Sequence, residues 1–127
     1  MNIDFAFVRE FLLAVEREAT DPVTPLTKGQ LGFSRIPDGI FSRQVTLFGR
    51  SELLETINQK TEEGNRYFPA RLTKEGREFL NQIRDEEIWK QILSIHTEDV
   101  QTFSLSVLIA LAQRVVELNH KKADQQK

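Results

Sequence analysis

Apolar residues recur at helical spacing in four stretches of the chain and in a shorter, extended rhythm in the middle. Phe5, Val8, Leu12 and Val15 stand three or four residues apart, with Phe11 widening the stripe, which predicts a helix from a cap at Asp4 to about Ala19. The segment Thr20-Asp21-Pro22-Val23-Thr24-Pro25 stops it, because two prolines remove backbone donors and push the residues before them out of helical geometry. Residues 26–37 hold Gly29, Gly32 and Pro37, so a loop with at most a short helix or strand is expected there. From Asp38, as cap, to Gly49, as stop, the helical period returns. Phe41, Val45 and Phe48 share one face, flanked by Ile40 and Leu47, while Ser42, Arg43, Thr46 and Arg50 are expected on the opposite one.

The extended runs 51–57 and 66–72 read as two strands joined by the polar segment 58–65, a hairpin that would be a wing. Its second strand leads straight into Leu72-Thr73-Lys74-Glu75-Gly76-Arg77-Glu78-Phe79-Leu80, where the Thr73 hydroxyl is placed to cap a helix. Gly76 in the first turn is a poor helix former, which implies a neighbouring backbone that approaches closely. That helix is expected over 73–95, with a bend or interruption near Asp85-Glu86-Glu87, and another from a cap at Ser104 to Asn119. The last helix is apolar on more than one side, so it either lies in its own core or pairs with a second subunit. Leu105, Leu108, Ile109, Ala112 and Val116 are the candidate oligomer interface. Trp89, at helical spacing from Leu93, is expected in a core or an interface.

The expected architecture is α+β, mostly helical: a winged helix-turn-helix domain over 1–95, a C-terminal helix over 96–119 packed on it or on a second subunit, and a disordered tail over 120–127. With 127 residues, 39% of them hydrophobic and 28% charged, the chain suits one ordinary globular domain. It has no cysteine, hence no disulfide scaffold and no thiolate chemistry. Asp4, Arg9 and Glu10 interrupt the apolar N-terminus as no signal peptide allows, so a cytoplasmic protein without a membrane partner is expected.

Enzymatic readings find little support. His96 and His120 do not stand at metal-ligand spacing, and Asp85, Glu86 and Glu87, being consecutive on a helix, point in different directions. No glycine-rich phosphate loop is present, and neither a cofactor nor a metal is expected.

The net charge of -2 disfavours an indiscriminate nucleic-acid binder, but charge is unevenly spread. Arg9 and Arg17 are outnumbered by Asp4, Glu10, Glu16, Glu18 and Asp21, whereas Lys28, Arg35, Arg43 and Arg50 face Asp38 alone. That basic stretch coincides with the predicted 38–49 helix.

The block 72–89 resembles the signature of a small phage and bacterial family, domain of unknown function 2513. The opening Ile3-Asp4-Phe5 with the helix Val8 to Glu16, the turn Gly32-Phe33-Ser34 and the start Ser104-Leu105-Ser106-Val107-Leu108 are similar to other parts of that family in the same order. The resemblance implies a winged-helix fold in a phage or mobile-element context and no particular activity. It is weakest at Arg35-Ile36-Pro37-Asp38-Gly39, where the family carries an acidic helical stretch.

Two functions follow as expectations. In the first, a DNA-binding or regulatory module, the 38–49 helix enters the major groove of duplex DNA: Arg43 and Thr46 face base edges, Arg35, Arg50, Lys60 and Arg66 contact phosphates, and Ser42 belongs to the same DNA-facing surface. In the second, the same scaffold docks a protein partner through the C-terminal helix or the wing, without DNA.

Overall fold

The computed structural model describes residues 5–62, 64–99 and 105–125. The expected caps Asp4 and Ser104, and Glu63 of the hairpin tip, lie outside them, as does the side chain of His96. The element order is α1 (Phe5–Glu18), α2 (Lys28–Leu31), α3 (Asp38–Arg50), β1 (Leu54–Thr61), β2 (Gly64–Leu72), α4 (Lys74–Arg84), α5 (Glu86–Asp99) and α6 (Leu105–Gln125). The fold is therefore mixed α+β and mostly helical, with one two-stranded antiparallel sheet. No helix among the described residues is long and apolar enough to cross a membrane.

The chain forms two compact units. One is Glu10–Arg77; the other comprises the described residues up to Arg9 and from Glu78 onward. In the first, Phe11 is the hub of an aromatic cluster: it stacks on Phe48 with centroids 4.8 Å apart and meets Phe41 edge-on and Phe33 at a tilt, both at 6.0 Å. Such pairs add about 0.5–1.5 kcal/mol each beyond the area they bury. Leu12, Ala14, Val15, Leu26, Leu31, Val45, Leu53, Leu54, Ala70 and Leu72 are buried with them in this unit.

The interval 26–37 contains a single helical turn with its own sequence signature. Thr27 and Gln30 form a reciprocal capping box, Gln30 N–H donating to Thr27 Oγ1 at 3.2 Å and Thr27 N–H to Gln30 Oε1 at 2.9 Å. Gly32, at φ +87°, closes the turn in the left-handed region. Asp38 is the first residue of α3 and not its cap; Pro37 holds that position and offers no side-chain bond. The helix runs through Gly49 and Arg50 to a C-cap at Ser51.

The hairpin is longer than the alternation of apolar residues suggests. Asn58 to Thr61 pair with Tyr67 to Gly64, so most of the expected loop is strand. Polar residues there read as loop because a two-stranded ribbon that leaves the core is solvated on both faces and shows no in-out alternation. The register slips between Glu55 and Thr56, where Ala70 is the extra residue of β2, and Pro69, which has no N–H to give, sits at that irregularity.

The junction behind the hairpin has the close approach that Gly76 implies. A Cβ on Gly76 would lie 2.1 Å from the carbonyl oxygen of Leu53. Leu53 is delivered there by Glu52, which adopts a positive φ of 64°, and its carbonyl accepts the Thr73 N–H at 3.0 Å. The Thr73 hydroxyl donates to the Glu52 carbonyl and accepts the Gly76 N–H at 2.9 Å, so it caps α4 while tying it to the chain entering β1.

In the second unit, the helix expected over 73–95 is two helices, broken at Asp85. That carboxylate caps α5 by accepting the N–H groups of Glu87 at 2.8 Å and Ile88 at 3.3 Å. Arg9 holds the other side of the break: its guanidinium donates to the carbonyls of Ile83 at 3.2 Å and Arg84 at 3.0 Å, pairs with Glu86 at 2.8 Å, and lies 5.8 Å from the Trp89 ring centroid. Trp89, Ile88 and Ile92 are buried, α5 packs on α6, and Gln91 and Asn119 exchange amide hydrogen bonds. α6 continues to Gln125, past Asn119, where a structureless tail is expected.

Candidate functional site

The aromatic core sets the orientation of α3. Phe41, Val45 and Phe48 are buried, so the face turned about 180° away carries Arg43 and Arg50, with Ile40 and Leu47 at its edge. Arg43 and Arg50 are exposed, as is Arg35 in the turn before the helix, and none of the three has an ion-pair partner among the described residues. Ile40 is 48% exposed, which puts an apolar side chain on the same surface as the arginines. Lys60 is exposed near the end of β1.

Two residues expected on this outer face do other work. Ser42 lies on the flank where the hairpin packs, and its hydroxyl accepts the Tyr67 N–H at 3.1 Å. It follows Phe41 by one position, a turn of about 100°, too little to reach the far side of the helix. Thr46 faces more nearly outward, but its hydroxyl donates to the Ser42 carbonyl at 2.9 Å, the back-bond common for Thr within helices. Arg66 is drawn toward Asp38, its Nη1 standing 3.6 Å from the carboxylate.

Asp38 is the acceptor of a small ionic cluster. Lys28 Nζ lies 2.8 Å from its Oδ1 and also donates to the Ile36 carbonyl at 2.7 Å. The Lys28 hydrogen bond and charge, with Arg66 adding to them, hold the Asp38 carboxyl below its ordinary pKa. Helix α3 also favours a negative charge in its first turn. On the hairpin, Glu55 and Arg71 face each other across the strands, and that hydrogen bond lowers the Glu55 carboxyl and raises the Arg71 guanidinium.

The candidate interface on α6 divides by burial. Leu105, Leu108 and Ala112 are buried together with Val115, at a spacing that makes one continuous stripe, and are not available to a second chain. Ile109 and Val116 are half-buried. The apolar width of this helix is thus taken up largely by its own unit, and what remains outside is Val107 and Leu118, 43% and 44% exposed.

Residues 2–103 match the family described as Hypothetical protein (DUF2513). The chain belongs to this family. No curated protein and no solved structure matches it. Membership carries the family's pattern through α1, the hairpin and the α4–α5 break, and ends within the stretch that precedes α6.

Proposed function

We propose that this member of the family is a DNA-binding module of winged-helix type, acting in transcription regulation. In this reading α2 and α3 form the helix-turn-helix, α3 enters the major groove, and the β1–β2 hairpin is the wing. The observation that carries it is the pair Arg43 and Arg50, exposed on the face of α3 that points away from the core and without acidic partners among the described residues. Arg43 is the base-reading residue, since the guanidinium fork matches the edge of guanine; Ile40 beside it suits a thymine methyl group. Arg35, Arg50 and Lys60 supply phosphate contacts. Thr46 drops out of the base-reading set and Ser42 out of the DNA-facing surface because their hydroxyls bond to backbone groups, and Arg66 contributes only insofar as Asp38 releases it.

A titration of the protein with a random duplex pool, and with duplex flanking its own coding region, at two salt concentrations tests this directly. Affinity should fall steeply with salt as condensed counterions are released. Arg43→Ala should cost about 1–3 kcal/mol and relax sequence preference, whereas Lys60→Ala should weaken all sequences alike and reduce the salt slope by about 1. Absence of duplex binding at low salt removes the assignment.

A second reading is favoured by one observation, the exposed Val107 and Leu118 eleven residues apart on one side of α6. Here α6 docks a protein, a second copy of the chain included. Leu118→Lys should then abolish association seen by sedimentation while leaving duplex binding intact. A monomer at high concentration before any substitution rejects self-association through this face.

A further inference from the structure

Ile40 is the large apolar side chain that α3 leaves to water, 48% exposed and one helical turn from Arg43. Such a side chain gains when an apolar group covers it. The Arg43 guanidinium is exposed and has neither an ion pair nor a hydrogen bond among the described residues. Three residues along a helix amount to about 4.5 Å of rise and about 60° of rotation, while stacked base pairs stand about 3.4 Å apart. Side chains so placed reach adjacent base pairs when the helix lies in the groove. Gly39 beside them carries no side chain, and a Cβ there would meet nothing within 4 Å, so the backbone at this end of α3 can come close to a ligand. The Asp38 carboxylate does not oppose an anionic partner, since Lys28 at 2.8 Å and Arg66 at 3.6 Å already balance it.

Resting on the DNA-binding reading, we infer that the sequence α3 recognises holds a guanine next to a base pair that bears a pyrimidine 5-methyl group. Arg43 takes the guanine and Ile40 the methyl. Base edges in the major groove are donors and acceptors, and the apolar group among them is the 5-methyl of thymine, which 5-methylcytosine shares. Ile40 against any other edge strips water from polar atoms and returns nothing to them, so it penalises a base without the methyl as well as favouring one with it. The planar Arg43 fork suits the two acceptors of guanine, O6 and N7, together; the point charge of a lysine would not. Arg50 lies two turns beyond Arg43, about 10.5 Å along the helix, which takes it past this step and leaves it to the phosphates.

The full chain is used to enrich a random duplex pool, and an enriched sequence is then synthesised in forms that differ by one group, each titrated by fluorescence anisotropy at low salt. Enriched sequences should hold thymine and guanine in adjacent base pairs. Uracil in place of that thymine should weaken binding about fourfold, the contribution of one buried methyl group. The guanine analogue whose N7 acceptor is replaced by C–H should weaken it about tenfold, and that loss should vanish in Arg43→Ala. Ile40→Ser, at an exposed position, should bind the thymine and uracil forms alike. A 5-methylcytosine pair at the thymine position that outbinds a cytosine pair shows the methyl to be read on either pyrimidine; equal binding of the two assigns it to thymine, and the contact stands in both cases. The contrast between thymine and uracil on the unmodified chain decides the matter even where a variant folds poorly. Equal affinity for those two forms, a thymine preference that survives in Ile40→Ser, or enrichment of thymine and guanine in separated base pairs would overturn the inference and leave the DNA-binding reading in place. No duplex bound at low salt removes both.

Discussion

Single residues hold the two joints of this chain together. Gly76 is required by space: any side chain there drives a Cβ into the Leu53 carbonyl, backbone against backbone, with no flexible end to move aside. Gly76→Ala should therefore cost about 3 kcal/mol or more, read as a drop in the urea midpoint, and an unchanged midpoint would show that the turn can shift freely. Arg9 offers a gentler case. It satisfies two carbonyls at the end of α4 and pairs with Glu86, and its side chain is 21% exposed. Arg9→Met retains much of the stem but leaves those carbonyls to water, so a loss of about 1–2 kcal/mol is expected in chemical unfolding. Neither acceptor lies near Arg9 in sequence, which is why nothing local in the sequence announces the contact.

At the scale of elements, burial decides which side of each helix is available. The outer face of α3 differs from an ideal helical wheel because the hairpin packs against its flank and claims Ser42. Gly49, where a Cβ would stand 3.0 Å from the Thr56 methyl, lies along the same approach. α6 shows the converse: its apolar residues outnumber one stripe, yet Leu105, Leu108, Ala112 and Val115 go inward. Phe79 is 2% exposed in α4, and Phe79→Ala should cost about 3 kcal/mol or more, since little of the resulting cavity can collapse in a packed helical environment. A near-neutral result in thermal or chemical unfolding would mean that its surroundings relax to fill the space. The same holds more strongly for Phe11, whose ring touches three others; replacement by Ala should exceed the Phe79 loss when both are measured side by side.

For the molecule as a whole, three carboxylates near the surface link stability to acid. Asp38 is held low by Lys28 and Arg66, Glu55 by Arg71, and Asp21 by the Val23 N–H and the Thr24 hydroxyl. Each has a lower pKa folded than unfolded. Their contribution is thus complete above the ordinary values of 3.8 for Asp and 4.5 for Glu and is lost as pH falls through the folded values. Unfolding free energy should show no loss from these groups between about pH 7 and 5 and decline below about 4, with a shallower decline in Asp38→Asn. Identical acid profiles for the two proteins would mean that Lys28 and Arg66 find equivalent partners when Asp38 is gone. Asp38 is exposed and Asp21 and Glu55 are partly so, which leaves each contribution small and screened by salt.

The sequence by itself determined what is local and periodic. The stripes of α1 and α3, the Thr73 cap, the break at Asp85 and the close approach at Gly76 all follow from residue types at fixed spacing. The Thr27–Gln30 capping box was equally open to a local reading, though residues 26–37 read as loop when only glycines and prolines are weighed. The tertiary structure decided what depends on a partner distant in sequence. Ser42 turned inward because Tyr67, twenty-five residues on, needed an acceptor. Asp38 became an ion-pair centre between Lys28 and Arg66 where its position suggested a cap. The apolar surplus of α6 was absorbed largely within its own unit, because the spacing of apolar side chains along a helix says how wide its apolar face is, and only packing settles which part of that face water still reaches.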